Sequence, residues 1–369
     1  MKSTKYLLLF LSLSMAAVSC KNEPKAGANS QNSTTNTQGL ETEVEKEEKG
    51  LFSSLVEKVK EANPLADNSN NAIKEVDGKV DFTYKLEKGQ VLDFKLDNTT
   101  DGIIKDPKSG QKQSTQSLIK KHYSVKVLDK TATGYILRFT LTHDYGRNQV
   151  DGKTTLEMSN LTKTAPKGLE NQLKFLKANV GNYYDVEIDN KGKVIKVSGV
   201  DQYNANLKKS LGALYNPAIE KQLNASINKE VVQKMFDGYM ITFPVKANKV
   251  GASWDDNKTN NTQDINETIN LKYTLKEVGQ ETAKISITGT ESQKGQMSMT
   301  NQGLTRSESI NLNGTIVGEI VYDAKTGWIK TFSHKESTSG LRKMSLSAQG
   351  KSQSQSMNIT STKTTKINL

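Results

Sequence analysis

The sequence predicts an α+β fold that is mainly antiparallel β, with two related curved β-sheet halves and a central helical insertion. Three observations carry this prediction. Apolar and polar residues alternate over most of residues 80–200 and 250–330, which indicates strands. Apolar residues recur with helical spacing between residues 200 and 240. Three patterns of the first half return in the same order in the second half.

The composition allows a folded core and excludes several classes of protein. The chain has 369 residues, of which 34% are hydrophobic and 25% charged. A region near 300 residues buries about three quarters of the surface that its unfolded chain exposes. One Cys excludes an intramolecular disulfide, and three His with one Cys exclude an imidazole-rich metal cluster. The basic residues are scattered and not interleaved with aromatic ones, so no nucleic-acid partner is predicted.

The first residues have the pattern of an export signal. Two lysines precede an apolar run over residues 6–18, which would be about 20 Å long as a helix. A bilayer core is about 30 Å thick, so this run is too short to span it and instead predicts a signal peptide over residues 1–19. The run ends in Ala17-Val18-Ser19-Cys20.

Those four residues resemble the lipobox of bacterial lipoproteins. The resemblance implies that Cys20 is acylated on sulfur, as by palmitate, and becomes the N-terminus after cleavage. The alternative is an ordinary signal peptide followed by an incidental Cys. Several acyl chains, at about 0.8 kcal/mol per buried CH₂, would hold the protein on a membrane. Lys21 replaces the Asp of an inner-membrane retention signal, so the outer membrane is expected, with its leaflet left open.

A tether is predicted between the anchor and the folded region. Residues 21–50 contain no aromatic residue and are expected to be disordered, with a reach of roughly 30 Å. Residues 51–63 have the spacing of a short amphipathic helix, and residues 65–78 are expected to be a polar linker. The predicted segments are 1–19 signal peptide, 20–77 lipidated Cys with tether and helix, 78–200 first β half, 201–240 helical segment, and 241–369 second β half.

The two β halves contain matching patterns. In the first half, apolar alternation surrounds a Lys88-Gly89 turn, and hairpins follow at residues 123–141 and 184–197. In the second half, Val250-Gly251-Ala252-Ser253-Trp254 corresponds to that turn, and similar hairpin patterns follow. An internal duplication is the preferred interpretation, although β-meanders in general look alike. After Gly340 the apolar residues become sparse, and strands exposed on one face are favoured over a frayed tail.

The central segment is predicted to be helical. Leu207 and Leu211 mark one helix, and a longer one begins with Asn216 as N-cap and Pro217 at the first helical position. That helix is predicted to continue to Gly238 as C-cap and to pack on the sheet. Its apolar stripe is Ile219, Leu223, Ile227 and Val231. A shorter helix is predicted after Pro166.

No catalytic, cofactor or metal-binding residues are predicted. The glycines of the 146–154 segment are separated by five residues where a phosphate loop has four, so this segment is predicted to be a turn. Residues 97–108 begin like a calcium loop but end in Lys instead of a bidentate Glu. Three histidines lie far apart in predicted strands and are expected to be structural or exposed. They are His122, His143 and His334.

Several short motifs together resemble a family of bacterial lipoproteins classed only as a domain of unknown function, over residues 80–369. They include the lipobox, the Lys88-Gly89 turn, the strand at residues 194–199 and the 250–254 motif. The resemblance implies no catalytic residues. The plan of a curved antiparallel sheet with packed helices is also distantly similar to half-barrel lipoprotein carriers, which is an analogy of fold alone.

The expected function is that of a non-enzymatic, lipid-anchored envelope lipoprotein that binds a protein, glycan or envelope component. The alternative is a carrier of a lipid or another amphiphile, in a large cavity between sheet and helices with residues 217–237 as its lid. Four methionines are candidates for its wall or for ordinary core packing, Met297, Met299, Met344 and Met357. A hydrolase would require a His within about 3.2 Å of a Ser or an acidic side chain.

Overall fold

A computed structural model describes most of the chain after residue 69. The described residues are 70–240, 243, 249–261, 265–301, 304–348 and 351–368. The predicted signal peptide, Cys20, the tether and the amphipathic helix lie outside them, so these remain predictions.

The described residues form fourteen strands and four α-helices. The strands are β1 Ile73–Val76, β2 Lys79–Phe82, β3 Val91–Lys105, β4 Lys112–Lys130, β5 Gly134–Val150, β6 Lys153–Ser159, β7 Tyr183–Asp189, β8 Val194–Ser198, β9 Ser253–Asn261, β10 Ile265–Val278, β11 Thr282–Asn301, β12 Leu304–Asp323, β13 Ile329–Ala348 and β14 Lys351–Asn368. The helices are α1 Glu170–Asn179, α2 Val200–Leu211, α3 Pro217–Ser226 and α4 Lys229–Tyr239, and a 3₁₀ turn, Gly212–Leu214, follows α2.

Apart from the β1–β2 hairpin, the described strands form one antiparallel sheet. Its order is β8-β7-β5-β4-β3-β14-β13-β12-β11-β10-β9, and β6 pairs with β5. The last strand, β14, pairs with the first long strand, β3, so the two halves of the chain join in the middle of the sheet. The predicted class, mainly antiparallel β with a helical insertion between the halves, is confirmed. The stretch after Gly340 forms strands, as favoured.

The two halves share one turn and one bulge at matching places, and the predicted internal duplication stays a prediction. Gly89 donates its backbone N–H to the carbonyl of Val127, and Gly251 donates in the same way to Leu275, both over 2.8 Å. Both glycines have a positive φ, 86° and 88°, which a residue with a side chain rarely adopts. A β-bulge follows Val127 in β4 and Leu275 in β10. The β4–β5 hairpin therefore corresponds to the β10–β11 hairpin.

The core lies at one end of the long strands. We call the side of the sheet that carries Phe94, Val125, Leu137, Ile285 and Ile320 the inner face, because these side chains are at most 1% exposed. Beyond the core the strands continue as a distal sheet, residues 97–105, 112–121, 291–301, 304–314, 335–348 and 351–363, in which few apolar side chains are buried.

The polar linker predicted over residues 65–78 is wrong from residue 72 onward. Ala72 and Ile73 are 1% and 0% exposed, and Ile73 donates its backbone N–H to Ala324 over 2.9 Å. Tyr84 likewise donates to Asn190, a turn residue of the first half, over 2.9 Å. The segment from Ala72 to Tyr84 therefore hydrogen-bonds to turns of both halves. Sequence reasoning missed strand β1 because four residues with polar neighbours are too few to show an alternating pattern.

The single helix predicted over residues 217–237 is also wrong, because the chain breaks it between α3 and α4. Asn216 caps α3 as predicted, accepting from the backbone N–H of Ile219 over 3.1 Å. Asn228 then caps α4, accepting from Val231 over 2.9 Å. The break rotates the apolar stripe, so Val231 is 39% exposed. Helix α4 buries Val232 and Phe236 instead, and it ends at Tyr239 rather than at Gly238.

Candidate functional site

A cavity of about 210 Å³ lies between the inner face of β4 and β5 and the helices α1, α2 and α4. Most of its wall is apolar and comes from both layers. The apolar lining includes Ile119, Leu141, Phe175, Leu176, Ile227, Val231, Val232 and Met235. Because Val231 is partly exposed while Val232 is buried, the first turn of α4 forms an edge between the cavity and the solvent.

The break before α4 lies beside this cavity. Ile227 lies in the connection between α3 and α4, and the N-cap at Asn228 sets the direction of α4. Val232 and Met235, three residues apart, therefore lie on the same side of α4 and contribute to the cavity wall.

The cavity also has a polar wall that joins the sheet to two helices. The Lys121 ammonium lies 3.1 Å from Oδ2 of Asp144, and Asn179 donates to the same oxygen over 3.2 Å. Tyr203 in turn donates its hydroxyl to Oδ1 of Asn179 over 3.1 Å. Asp144 is only 4% exposed, so its carboxylate depends on these donors in place of water.

The environment keeps the Tyr203 phenol neutral. Burial, and then the neighbouring Tyr184, raise the pKa of Tyr203 well above its usual range. The two rings stack in parallel, with 4.8 Å between their centroids. Tyr203 therefore acts as a hydrogen-bond donor at the back of the cavity and not as an acid at neutral pH.

Asp144 faces the cavity because of a β-bulge. Tyr123 pairs with Leu141 and His122 pairs with His143, so Thr142 is an extra residue in β5. Strict alternation from Leu141 would put residue 143 on the inner face, but the bulge puts Asp144 there. Sequence reasoning missed this residue because no local signal marks the bulge.

The structure brings two of the three histidines together. His122 and His143 face each other on the outer face of the sheet, with ring centroids 5.0 Å apart. Burial, and then His143, lower the pKa of His122. His334 lies on the inner face of β13, and its Nε2 is 3.6 Å from Oε1 of Glu336. Among the described residues, no histidine side chain hydrogen-bonds to a serine or an acidic group, the contact that a hydrolase would need.

The other sequence-level candidates lie in ordinary positions. The segment around residues 146–154 is a hairpin turn, as predicted, with positive φ at Asp151 and Gly152. In the part of the chain that the structure describes, no three His, Cys, Asp or Glu side chains are placed to hold a metal ion. The methionines considered as candidates for a cavity wall do not line this cavity, because Met297, Met344 and Met357 lie in β11, β13 and β14, and Met235 lines it instead. Of the described helices, none is long and apolar enough to cross a membrane.

The sequence matches a family without an assigned function. Residues 133–329 match DUF6263, a family of unknown function. The match spans more than half of the 369 residues, so the chain belongs to this family. No match is found among curated proteins.

Solved structures show only distant likeness. A structure of lipid–protein interactions in lipovitellin shares 10% identity at a TM-score of 0.37, covering 76% of this chain and 25% of the lipovitellin chain. The chain thus spans about a quarter of the length of that protein. The beta domain of the Bordetella autotransporter BrkA shares 9% identity at a TM-score of 0.19, covering 75% and 99%. Pseudomonas aeruginosa OccK5 shares 6% identity at 0.19, covering 74% and 97%.

Proposed function

We propose that this protein is a non-enzymatic envelope lipoprotein whose cavity binds the apolar part of a small amphiphile. The observation that carries the proposal is the cavity itself, which combines an apolar lining with one buried carboxylate–ammonium pair, Asp144 and Lys121. Ligand pockets generally have such a mostly apolar wall with a few placed polar groups.

The size of the cavity limits what it encloses. A cavity of about 150 Å³ lined by aliphatic and aromatic side chains accepts a benzene molecule. The 210 Å³ observed here therefore suits a ring or a short alkyl segment, and not the two full chains of a phospholipid. Burying six methylene groups would contribute about 5 kcal/mol, at ~0.8 kcal/mol each, before the ligand loses its freedom of motion.

The polar wall suits the other end of an amphiphile. Lys121 is partly exposed, with 32% of its side chain accessible, whereas the Asp144 side chain is 5% accessible. The ammonium can thus turn toward a ligand carboxylate or phosphate at the cavity while Asp144 holds its position. Asn179 keeps Asp144 hydrogen-bonded during that exchange.

The anchor and the location are part of the proposal. The lipobox-like sequence that ends at Cys20 supports acylation, and the absence of Asp after Cys20 supports the outer membrane. Intact-mass analysis of the N-terminal peptide from membranes tests this directly. Acyl groups on Cys20 support the anchor, and an unmodified thiol contradicts it.

The binding proposal is tested by native mass spectrometry of the lipoprotein purified from membranes in mild detergent. Its spectrum is compared with that of a denatured sample. We expect extra mass that is lost on denaturation and corresponds to an amphiphile. Val232→Phe puts a ring into the cavity and should abolish the extra mass, because Val232 lines it and is 3% exposed.

Val317→Phe is the matched control, because Val317 is 48% exposed on the outer face of β12, and this variant should carry the ligand. A wild-type protein with no extra mass would contradict the proposal and favour a protein or glycan partner. Equal ligand occupancy in both variants would place the ligand elsewhere.

A further inference from the structure

Two histidines form an accessible pair on the outer face of the sheet, which is the side away from the cavity. His122 of β4 and His143 of β5 are cross-strand partners. Their ring centroids lie 5.0 Å apart, and the ring planes are tilted by 44°. Both residues are partly exposed, so the pair lies at the surface of the sheet and not within the core.

The ring nitrogens of this pair are open to a ligand. In the described part of the chain, the hydrogen bond of His122 is made by its backbone carbonyl, which accepts from the Thr142 hydroxyl over 3.0 Å and leaves the ring free. The buried Nε2 of His334 has no partner, whereas neither ring of the pair has a buried nitrogen of that kind. Neutral imidazole nitrogens that solvent can reach are the commonest metal ligands in proteins.

A β-bulge creates the pair. Tyr123 pairs with Leu141 and His122 with His143, so Thr142 is an extra residue in β5. Without it, residue 143 would lie on the inner face with Leu141, and its ring would point away from His122. Bulges that redirect a side chain are common beside functional sites, and a paired strand holds that side chain more precisely than a loop.

The separation of the two rings suits a shared metal ion. A metal–nitrogen bond to His is about 2.0–2.1 Å long, and the imidazole centre lies about 1.2 Å beyond the nitrogen, so each centroid would be about 3.2 Å from the metal. Two rings at angles between about 90° and 109° then have centroids about 4.5 to 5.2 Å apart. The observed 5.0 Å falls within that interval.

The charges around the pair are balanced. Lys95 is the partner of His122 on β3, and its ammonium lies 3.6 Å from a carboxylate oxygen of Asp93. Lys120 precedes His122 by two residues, and its ammonium lies 3.1 Å from Asp97. Each lysine thus has a carboxylate beside it, so an approaching cation meets two neutralised pairs and not a positive patch.

We propose that His122 and His143 together bind one divalent transition-metal ion of the Cu²⁺ and Zn²⁺ type, with water at its other positions. Imidazole suits these ions, and Cu²⁺ is generally held more tightly than Zn²⁺ by the same ligands. Among the described residues, no three His, Cys, Asp or Glu side chains are placed to hold a metal, so the site supplies two ligands. Structural zinc sites have four, so this site is suited to exchange of its ion. The proposal does not depend on the ligand of the cavity.

Isothermal titration of the mature lipoprotein with Cu²⁺ at pH 7.5 tests this site. We expect one ion for each protein. His122→Gln and His143→Gln should each lower the affinity about 100-fold, because a second linked ligand raises affinity by about 10²- to 10⁴-fold. His334→Gln is the matched control, since His334 lies on the inner face of β13, and it should bind Cu²⁺ as wild type does. Circular dichroism spectra like that of wild type show that the variants are folded.

Electron paramagnetic resonance of the bound Cu²⁺ supplies a second measurement. Wild type should show two nitrogen ligands, and each single variant should show fewer. If each histidine bound an ion by itself, wild type would bind two ions, and either variant would bind one with unchanged affinity. That result, equal binding by His143→Gln and wild type, or no saturable binding by wild type would overturn the proposal. None of these outcomes concerns the amphiphile in the Val232 cavity.

Discussion

Glu291 makes the stability of the protein depend on pH in a direction opposite to that of most carboxylates. Burial and Glu336 raise its pKa from 4.5 to about 7 in the folded protein. Below pH 4.5 the residue is protonated in both states and has no effect. Between 4.5 and about 7 the unfolded chain releases the proton while the folded chain retains it, so rising pH favours unfolding.

The size of this effect on stability follows from the difference between the pKa of Glu291 in the unfolded and in the folded protein. At 1.36 kcal/mol per pH unit, the ionised Glu291 lowers the free energy of unfolding by roughly 3 kcal/mol above pH 7. Glu291→Gln removes the titration and keeps the size of the side chain. It should therefore stabilise the protein by about that amount at pH 8 and leave it nearly unchanged at pH 4.5.

Urea denaturation of wild type, Glu291→Gln and Glu319→Gln at both pH values measures this difference. The control should follow wild type, because Glu319 is exposed on the outer face of β12, whereas Glu291 lies on the inner face. A difference between wild type and Glu291→Gln that is the same at both pH values would refute the reasoning. So would a Gln variant that is less stable than wild type at pH 8.

Three further predictions concern the core, the helix break and the anchor. Phe243→Ala should lower the free energy of unfolding by about 3–5 kcal/mol in urea titrations. The reason is that Phe243 is 1% exposed and its ring centroid lies 4.9 Å from that of Phe82. A loss below about 1 kcal/mol would contradict this prediction. Asn228→Ala should cost about 1 kcal/mol, measured in the same way, by removing the cap of α4, and an unchanged stability would show that the cap is not needed. Cys20→Ser should move the protein from the membrane to the soluble fraction in cell fractionation, and a variant that stays on the membrane would contradict the lipid anchor.

The sequence predicts the parts of this fold that local patterns determine. Alternation identifies the strands, and Gly89 and Gly251 mark equivalent turns, since both positions require a positive φ. The cap at Asn216 is likewise a local signal. The break at Asn228 was missed because apolar residues on both sides fit one continuous helical period, although Asn is also a good N-cap residue.

The candidate sites and the buried carboxylate of Glu291 depend on long-range pairing and were not predictable in this way. Asp144 reaches the cavity only because Thr142 is an extra residue in β5, and a bulge depends on how two strands pair. Glu291 and Glu336 are 45 positions apart and meet because β11, β12 and β13 pair in a particular register. A shift of one residue in either pairing would turn one of the two carboxylates to the outer face.

Asp144 and Glu291 mark equivalent positions in the two corresponding hairpins. Both lie where the second strand of the repeated hairpin leaves the core, and both contain one carboxylate that is at most 6% exposed. In the first half, helices cover this position, and Lys121 and Asn179 satisfy Asp144, which leaves an apolar cavity beside a neutralised pair. In the second half Ile269 replaces the lysine, so the equivalent carboxylate lacks a cation on the facing strand. The equivalent buried acid is thus paired with a lysine in one half and faces an aliphatic side chain in the other.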